Sequence, residues 1–259
     1  VAEGTYMETI DFHQENLTLN RAEEAAGWTR NVGAYTTIID ATGSDRSVIE
    51  MHAIPGVTTV EGFTIRGAGN VSGEGGGFYI NATSAVISDC VIRDSTATMG
   101  GGVWIENSVG TDHLHVSVVD STIARNVATN CAAGLMVHNS DPIRVTVKDT
   151  VMTENTGNDV LWVDNGPFEM VGGKVSNNTV TGQSAIGIGG SGSATISGTE
   201  IVSHTSGALA NSGALTVTDS TVEGHKGADW TIWSQEHLVL DGCTIRDNGT
   251  HGIVDISAG

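Results

Sequence analysis

The sequence predicts an all-β fold, a single-stranded right-handed parallel β-helix of about nine or ten coils, and three observations carry that prediction. A short phrase returns eight times: a β-branched run closed by Gly or Asp, with an apolar residue three positions further on. Its copies place that residue at Ile65, Ile92, Ile123, Met152, Val175, Ile201, Val222 and Ile245, in steps of 21 to 31 residues, the length of one coil of a solenoid. Within the runs, alternate residues are apolar, the period of a strand with one face turned inward. The composition agrees: 35 Gly, 3 Pro and 5% aromatic residues suit many short strands and tight corners, where Gly supplies positive φ and Pro would delete ladder donors.

One period runs through most of the chain and leaves no linker, so residues 1–259 read as one domain. The chain starts and stops inside strand-like segments, Val1 to Tyr6 and Ile256 to Gly259, as a mature or excised fragment would. Residues 20–35 interrupt the pattern near the N-terminal end. Ala22-Glu23-Glu24-Ala25-Ala26 carries the one stretch of helical periodicity, read as a short helix or a loop excursion, and a polar lid there would protect the open end of the solenoid. Each regular repeat then divides into two strand runs and three corners. Ahead of the Gly/Asp corner the inward pairs run from Thr58/Val60 and Ala85/Ile87 to Leu215/Val217 and Leu238/Leu240. After the corner the phrase's apolar residue points inward, and three positions later stands Ala68, Ser95, Asn126, Asn155, Asn178, His204, His225 or Asn248. Amides stacked at a corner can hydrogen-bond up and down a column and tolerate left-handed backbone. The second run places Phe78/Ile80, Val103/Ile105, Leu135/Val137, Leu161/Val163, Ile186/Ile188, Leu209, Ile232 and Ile253 inward. Apolar columns in register mean parallel strands about 4.8 Å apart, joined by right-handed crossovers.

The opening segments Val1-Ala2-Glu3-Gly4-Thr5-Tyr6, Asn16-Leu17-Thr18-Leu19 and Thr37-Ile38-Ile39-Asp40 resemble the first coils of right-handed β-helix proteins of the pectate-lyase-like superfamily. Gly75-Gly76-Gly77-Phe78-Tyr79-Ile80-Asn81 and Gly100-Gly101-Gly102-Val103-Trp104-Ile105-Glu106-Asn107 resemble the glycine-rich repeats of secreted bacterial β-helix proteins and polymorphic-outer-membrane-type surface proteins. The resemblance implies the fold and an extracellular or cell-surface location. In place of the outer-membrane type's Phe-x-x-Asn stand Ile123-Ala124-Arg125-Asn126 and Met152-Thr153-Glu154-Asn155. No segment matches the catalytic signatures of pectate lyases, polygalacturonases or alginate epimerases.

A net charge of -19 with 11 Lys and Arg argues against nucleic acid and against an anionic membrane, and no apolar run is long enough to insert into a bilayer. Cys90 and Cys243 point inward many coils apart and Cys131 sits near a corner, so the three cysteines read as structural thiols.

Chemistry is best sought on the outside of the second run. Its outward residues are Tyr79, Trp104, Met136, Trp162, Gly187, Ala210, Trp233 and Val254, which gathers three of the five Trp and one of the three Tyr into one exterior column. Tyr79, Trp104, Trp162 and Trp233 are the candidate substrate-binding residues, because exposed rings form a platform for the apolar faces of sugars. Two residues further along lie Asn81, Glu106, His138, Asp164, Gly189, Ser212 and Gln235. Glu106, His138 and Asp164 are the catalytic candidates: a His between two carboxylates about 10 Å apart is a general acid/base cluster near the spacing of inverting glycosidases. Loops folding over the column and burying it, or a neighbouring protomer doing so, account for the rings as well, and a solvated polar rim for the second column. Arg66 and Arg93 with Arg125 form a candidate uronate or lyase-base site, Asp112-His113-Leu114-His115 a candidate metal pair, and Thr59, Ser117, Thr146, Thr195 and Thr216 a Thr-rich array interrupted by Val86, Glu169 and Val239. No cofactor is required. Ca²⁺ at Asp141, Asp159 and Asp164 lacks an Asp-x-Asp loop.

Two functional readings follow. One is a secreted or surface protein that binds an extended polysaccharide and cleaves it as a hydrolase or lyase. The other is a non-catalytic structural or adhesive β-helix whose aromatic column meets another protein, its own copy included.

Overall fold

The computed structural model describes residues 4–13, 18–20, 37–110, 113–138, 143–226, 230–249 and 252–255. Among them every element is a strand and the neighbours in each sheet run parallel, as in Thr64 beside Val91, Val91 beside Thr122 and Thr122 beside Val151. A ten-stranded sheet takes the strand that follows each Gly/Asp corner, from Gly4–Met7 and Thr37–Asp40 through Phe63–Arg66 to Thr244–Arg246. A seventeen-stranded sheet takes both the second run and the run ahead of the corner, since strands such as Leu161–Val171 and Ser184–Ser197 pass from one to the other without a break. Of residues 20–35 only Asn20 is described, as the end of the strand Thr18–Asn20; the helical reading of Arg21 to Trp28 lies outside the described residues. No helix among the described residues is long and apolar enough to cross a membrane.

A third sheet was not expected. Its five strands, Gly69–Glu74, Thr96–Met99, Val127–Cys131, Thr156–Gly157 and Thr179–Val180, follow the polar corner column. The two-run reading missed them because they are short, rich in Gly and Thr, and turn few apolar residues inward.

The corners explain the phrase. In all eight copies the closing Gly or Asp has positive φ, for example +83° at Gly62, +50° at Asp89, +49° at Asp219 and +62° at Gly242. Gly adopts that conformation freely and Asp tolerates it, which is why these two types alternate there. The inward columns are buried as expected, with Ile65, Ile92, Ile123, Met152 and Ile201 fully covered. Leu238, Leu240 and Ile245 are only partly buried and Ile253 is 47% exposed, because among the described residues no further strand stacks on theirs. Cys90 and Cys243 face the core, and none of the three cysteines is in a disulfide.

The polar corner column forms a ladder. Asn126 Oδ1 accepts the Ser95 N–H (3.1 Å), Asn155 Oδ1 the Asn126 N–H (2.9 Å), Asn178 Oδ1 the Asn155 N–H (2.8 Å) and Asn248 Oδ1 the His225 N–H (3.1 Å). The amide nitrogens of Asn126, Asn155 and Asn178 donate to the carbonyls of Ile92, Ile123 and Met152. His204 fits the same slot as a neutral ring: Nδ1 accepts the Asn178 N–H and Nε2 donates to the Val175 carbonyl (3.1 Å). Its ring lies 5.0 Å from that of His225. Burial, with the neighbouring His225, pushes the His204 pKa down to about 3, and burial lowers that of His225.

A depressed histidine contributes stability that is complete above the unfolded pKa of about 6.5 and is lost as pH falls toward the folded value. His204→Asn, which copies Asn155 and Asn178, is therefore expected to stabilise the protein by about 2 kcal/mol at pH 5 relative to its effect at pH 8, at about 1.4 kcal/mol per pH unit below 6.5. Urea midpoints of both proteins at the two pH values check this; equal differences at both would refute it.

Stacking also explains the Gly triplets. A Cβ on Gly76 would lie 2.2 Å from the Gly101 carbonyl oxygen, and one on Gly102 would lie 2.5 Å from that of Gly134 and 2.7 Å from Ile123 Cγ2. Gly102→Ala is expected to cost about 1–3 kcal/mol in urea unfolding, the scale of an overpacked core.

Candidate functional site

The exterior column has the expected register. Tyr79 stands beside Trp104, Trp104 beside Met136, Met136 beside Trp162, and Trp162 beside Gly187; Ala210 and Trp233 follow. It also extends toward the N-terminus, where Glu50 stands beside Tyr79 and Asp11 beside Glu50.

Outward direction does not mean exposure, and here the structure corrects the sequence reading. Trp104 is 2% exposed and Met136 3%, buried in a small apolar cluster with Ala132 against Met99, Cys131, Tyr79 and Trp162. Met99 and Cys131 end strands of the unexpected third sheet, so that sheet brings the chain back over the column. Trp104 is thus no part of a platform. Its ring lies 5.0 Å from that of His138 and supports it from beneath. Tyr79, Trp162 and Trp233 are half-buried.

Trp162 and Trp233 instead flank a groove. The coils between them carry Gly187 and Ala210, and the Trp162 ring spreads over Gly187 so closely that a Cβ there would lie 2.2 Å from Cε3. Trp233 stacks on Trp230 with ring centres 5.9 Å apart. The groove has a volume of about 240 Å³, and Asn158, Asp159, Gln183, Ser184 and Ser212 give it polar groups.

The three acid/base candidates divide into two pairs. His138 Nδ1 lies 2.5 Å from Asp164 Oδ2, and the Trp162 indole N–H donates to the other carboxylate oxygen. With Asp164 accepting, the proton sits on His138 Nδ1 and leaves Nε2 free to accept another; the His138 side chain is 49% exposed. Glu106 is drawn away from this pair, because the Tyr79 hydroxyl donates to it, and Asn81 Nδ2 donates to the same Tyr79 oxygen (3.3 Å). Burial, then the bond to Glu106, raises the Tyr79 pKa above the ordinary phenol value.

Asp159 was considered as a Ca²⁺ ligand only. It is 8% exposed, the Cys131 thiol donates to it across 3.6 Å, and its burial raises its pKa to about 7. A neutral acid bonded to a thiol is poor Ca²⁺ chemistry, and Asp141 lies outside the described residues. Burial, then the charges of Asp159 and Asp164, raise the Cys131 thiol as well, so it is no nucleophile. A raised carboxyl pKa makes the folded state bind a proton that the unfolded state has released. Its contribution is complete below about pH 4 and is lost as pH rises to about 7, a fall on the order of 4 kcal/mol. Asp159→Asn is expected to abolish that fall in thermal unfolding between pH 4 and pH 8; an unchanged slope would refute it.

The remaining candidates are engaged elsewhere. Arg66 pairs with Asp40 (2.8 Å), Arg93 and Arg125 share Asp94, and Glu154 lies 3.8 Å from Arg125, so each arginine of the column is paired with a carboxylate. Asp112 lies outside the described residues, and His115 Nε2 meets the Thr146 hydroxyl (3.0 Å). One group the sequence reading missed, Asp11, Glu50 and His52, places three ligand atoms within 4.8 Å of one another, but the Arg46 guanidinium already bridges Asp11 (3.0 Å) and Glu50 (2.5 Å). These residues precede the regular repeats, so their columns were not counted.

The stacked parallel coils define the chain as a right-handed parallel β-helix repeat protein. Residues 168–257 match the family model described as right handed beta helix region. No curated protein and no solved structure matches the chain.

Proposed function

We propose that the protein binds an extended neutral glycan, with one stretch of it seated in the groove between Trp162 and Trp233. The observation that carries this reading is the groove itself: two indole walls, Ala210 and Ile188 between them, and amide and hydroxyl groups at the rim. Three strand steps separate the two Trp, about 14 Å, room for more than one sugar ring. Sugar faces stack on indoles and their hydroxyls need such polar partners. The charge of -19 favours a neutral chain over a polyanion, and the location that goes with such a ligand is extracellular or the cell surface. The His138–Asp164 pair is joined to the groove only through the Trp162 indole N–H, and it and Glu106, tied to Tyr79, lie outside the lining of the groove, so the reading is one of binding.

The test is a tryptophan-fluorescence titration with neutral oligosaccharides of several linkages. Trp162→Ala and Trp233→Ala are each expected to weaken binding by about 1–3 kcal/mol with little unfolding. If wild type binds none and the same substitutions instead dissociate an oligomer, the half-buried rings belong to a protein interface, the second reading of the column.

A further inference from the structure

The chain contains two Asn-Gly steps, Asn165-Gly166 and Asn248-Gly249, and the fold treats them in opposite ways. We infer that Asn165 is a site of self-modification: the Gly166 nitrogen closes on the Asn165 side chain to form a succinimide, which water opens to aspartate or isoaspartate. Glycine after asparagine suits this ring closure because no Cβ crowds the attacking nitrogen.

At Asn165 the reacting groups already face each other. The Gly166 N–H donates to Asn165 Oδ1 (2.7 Å), and with a C=O bond of about 1.2 Å this sets the nitrogen about 3–3.5 Å from Cγ, the near-attack range. The strand supplies the reason. Its register with the following coil shifts between Val163 and Asn165, where Leu161–Val171 passes from the second run to the run ahead of the corner, and Gly166 has a φ of +87°. Such a shift takes a main-chain donor out of the ladder, and this one turns to its neighbour's side chain. Among the described residues no other hydrogen bond holds the Asn165 amide, which is half-buried and so within reach of water. Asn248 is held the other way. Its Oδ1 accepts the His225 N–H (3.1 Å), its Nδ2 donates to the Val222 carbonyl (3.0 Å), and the Gly249 N–H donates to the His225 carbonyl (2.9 Å). Both groups that must meet there are bonded to the preceding coil, and closing the ring breaks all three bonds.

The reaction consumes only water, and nothing is oxidised or reduced. Solvent takes the Gly166 amide proton, the nitrogen adds to Asn165 Cγ, and the bond from Cγ to Nδ2 breaks, the nitrogen leaving as ammonia with a proton from solvent. Water then adds to one of the two ring carbonyls and breaks its bond to the Gly166 nitrogen. Opening at Cγ gives aspartate. Opening at the main-chain carbonyl gives isoaspartate, whose main chain runs through the former side chain and is one methylene longer. Either product puts a carboxylate next to Asp164 on the strand that carries Trp162.

The experiment ages the wild-type protein at pH 8, folded and in urea, and follows both Asn-Gly peptides by mass spectrometry for the conversion of amide to acid, with isoaspartyl methyltransferase labelling to count isoaspartate. In urea the two steps have the same local chemistry and are expected to react within a few-fold of each other. In the folded protein Asn165 is expected to react at least as fast as in urea, and Asn248 to fall behind it by about 10²-fold, the scale of reacting groups held out of line. Asn165→Gln, whose longer side chain closes the ring poorly, is expected to remove the isoaspartate label from the folded protein. Slower reaction of Asn165 in the folded protein than in urea, equal rates at Asn165 and Asn248 in the folded protein, or a label that survives in Asn165→Gln would each overturn the assignment. The comparison within wild type carries the test alone should the variant not fold.

Discussion

Replacing Asn155 by Ala is expected to lower the unfolding free energy by about 3 kcal/mol, with the solenoid weakest at the affected coil. The side chain is fully buried, accepts the Asn126 N–H and donates to both the Ile123 carbonyl and Asn178 Oδ1. Its removal leaves a buried backbone donor and acceptor without those bonds, and each such group costs about 1–3 kcal/mol. Four groups lose a partner, the Asn126 N–H and Nδ2, the Ile123 carbonyl and Asn178 Oδ1, so the loss exceeds that of an ordinary exposed amide. Urea unfolding gives the total, and hydrogen exchange at Asn126 locates it. A loss under about 1 kcal/mol would mean that the ladder contributes little. His204→Asn is the matched control, because it puts an amide into a slot of the same ladder and keeps the acceptor for the Asn178 N–H.

Trp104→Ala is expected to destabilise the fold by about 3–5 kcal/mol, the range for a large aromatic side chain removed from a core. Trp162→Ala, two strands along the same column, is expected to cost much less and to act on ligand binding instead. The contrast follows from cover: Trp104 is 2% exposed beneath Met99, Cys131 and Ala132, whereas Trp162 is half-buried and its ring forms a wall of the groove. Thermal unfolding of the two variants side by side checks this. Equal, small losses would mean that the third sheet does not close over Trp104.

The register of these columns was legible in the sequence, and their solvent exposure was not. Alternation over the second run placed Tyr79, Trp104, Met136 and Trp162 on neighbouring strands, and they pair in that order. The Gly/Asp phrase located a positive-φ corner eight times over, and the Asn column announced the ladder. Parity tells which side of a sheet a residue is on; it does not tell what folds over that side. Strands such as Thr96–Met99 and Val127–Cys131 carry too little apolar alternation to be seen, and they cover Trp104. The acid/base cluster was half legible: His138 and Asp164 meet as their positions require, but Tyr79, counted only as a ring, holds Glu106 through its hydroxyl. Asp159 escaped notice as an acid because only its burial beside Cys131 marks it out.

The most direct test of the groove is a crystal structure of the protein with the oligosaccharide that binds it best. The expected result is a sugar ring stacked on Trp162 above Ala210, the chain running toward Trp233. An oligosaccharide held on another face, or the groove filled by a second copy of the protein, would contradict it.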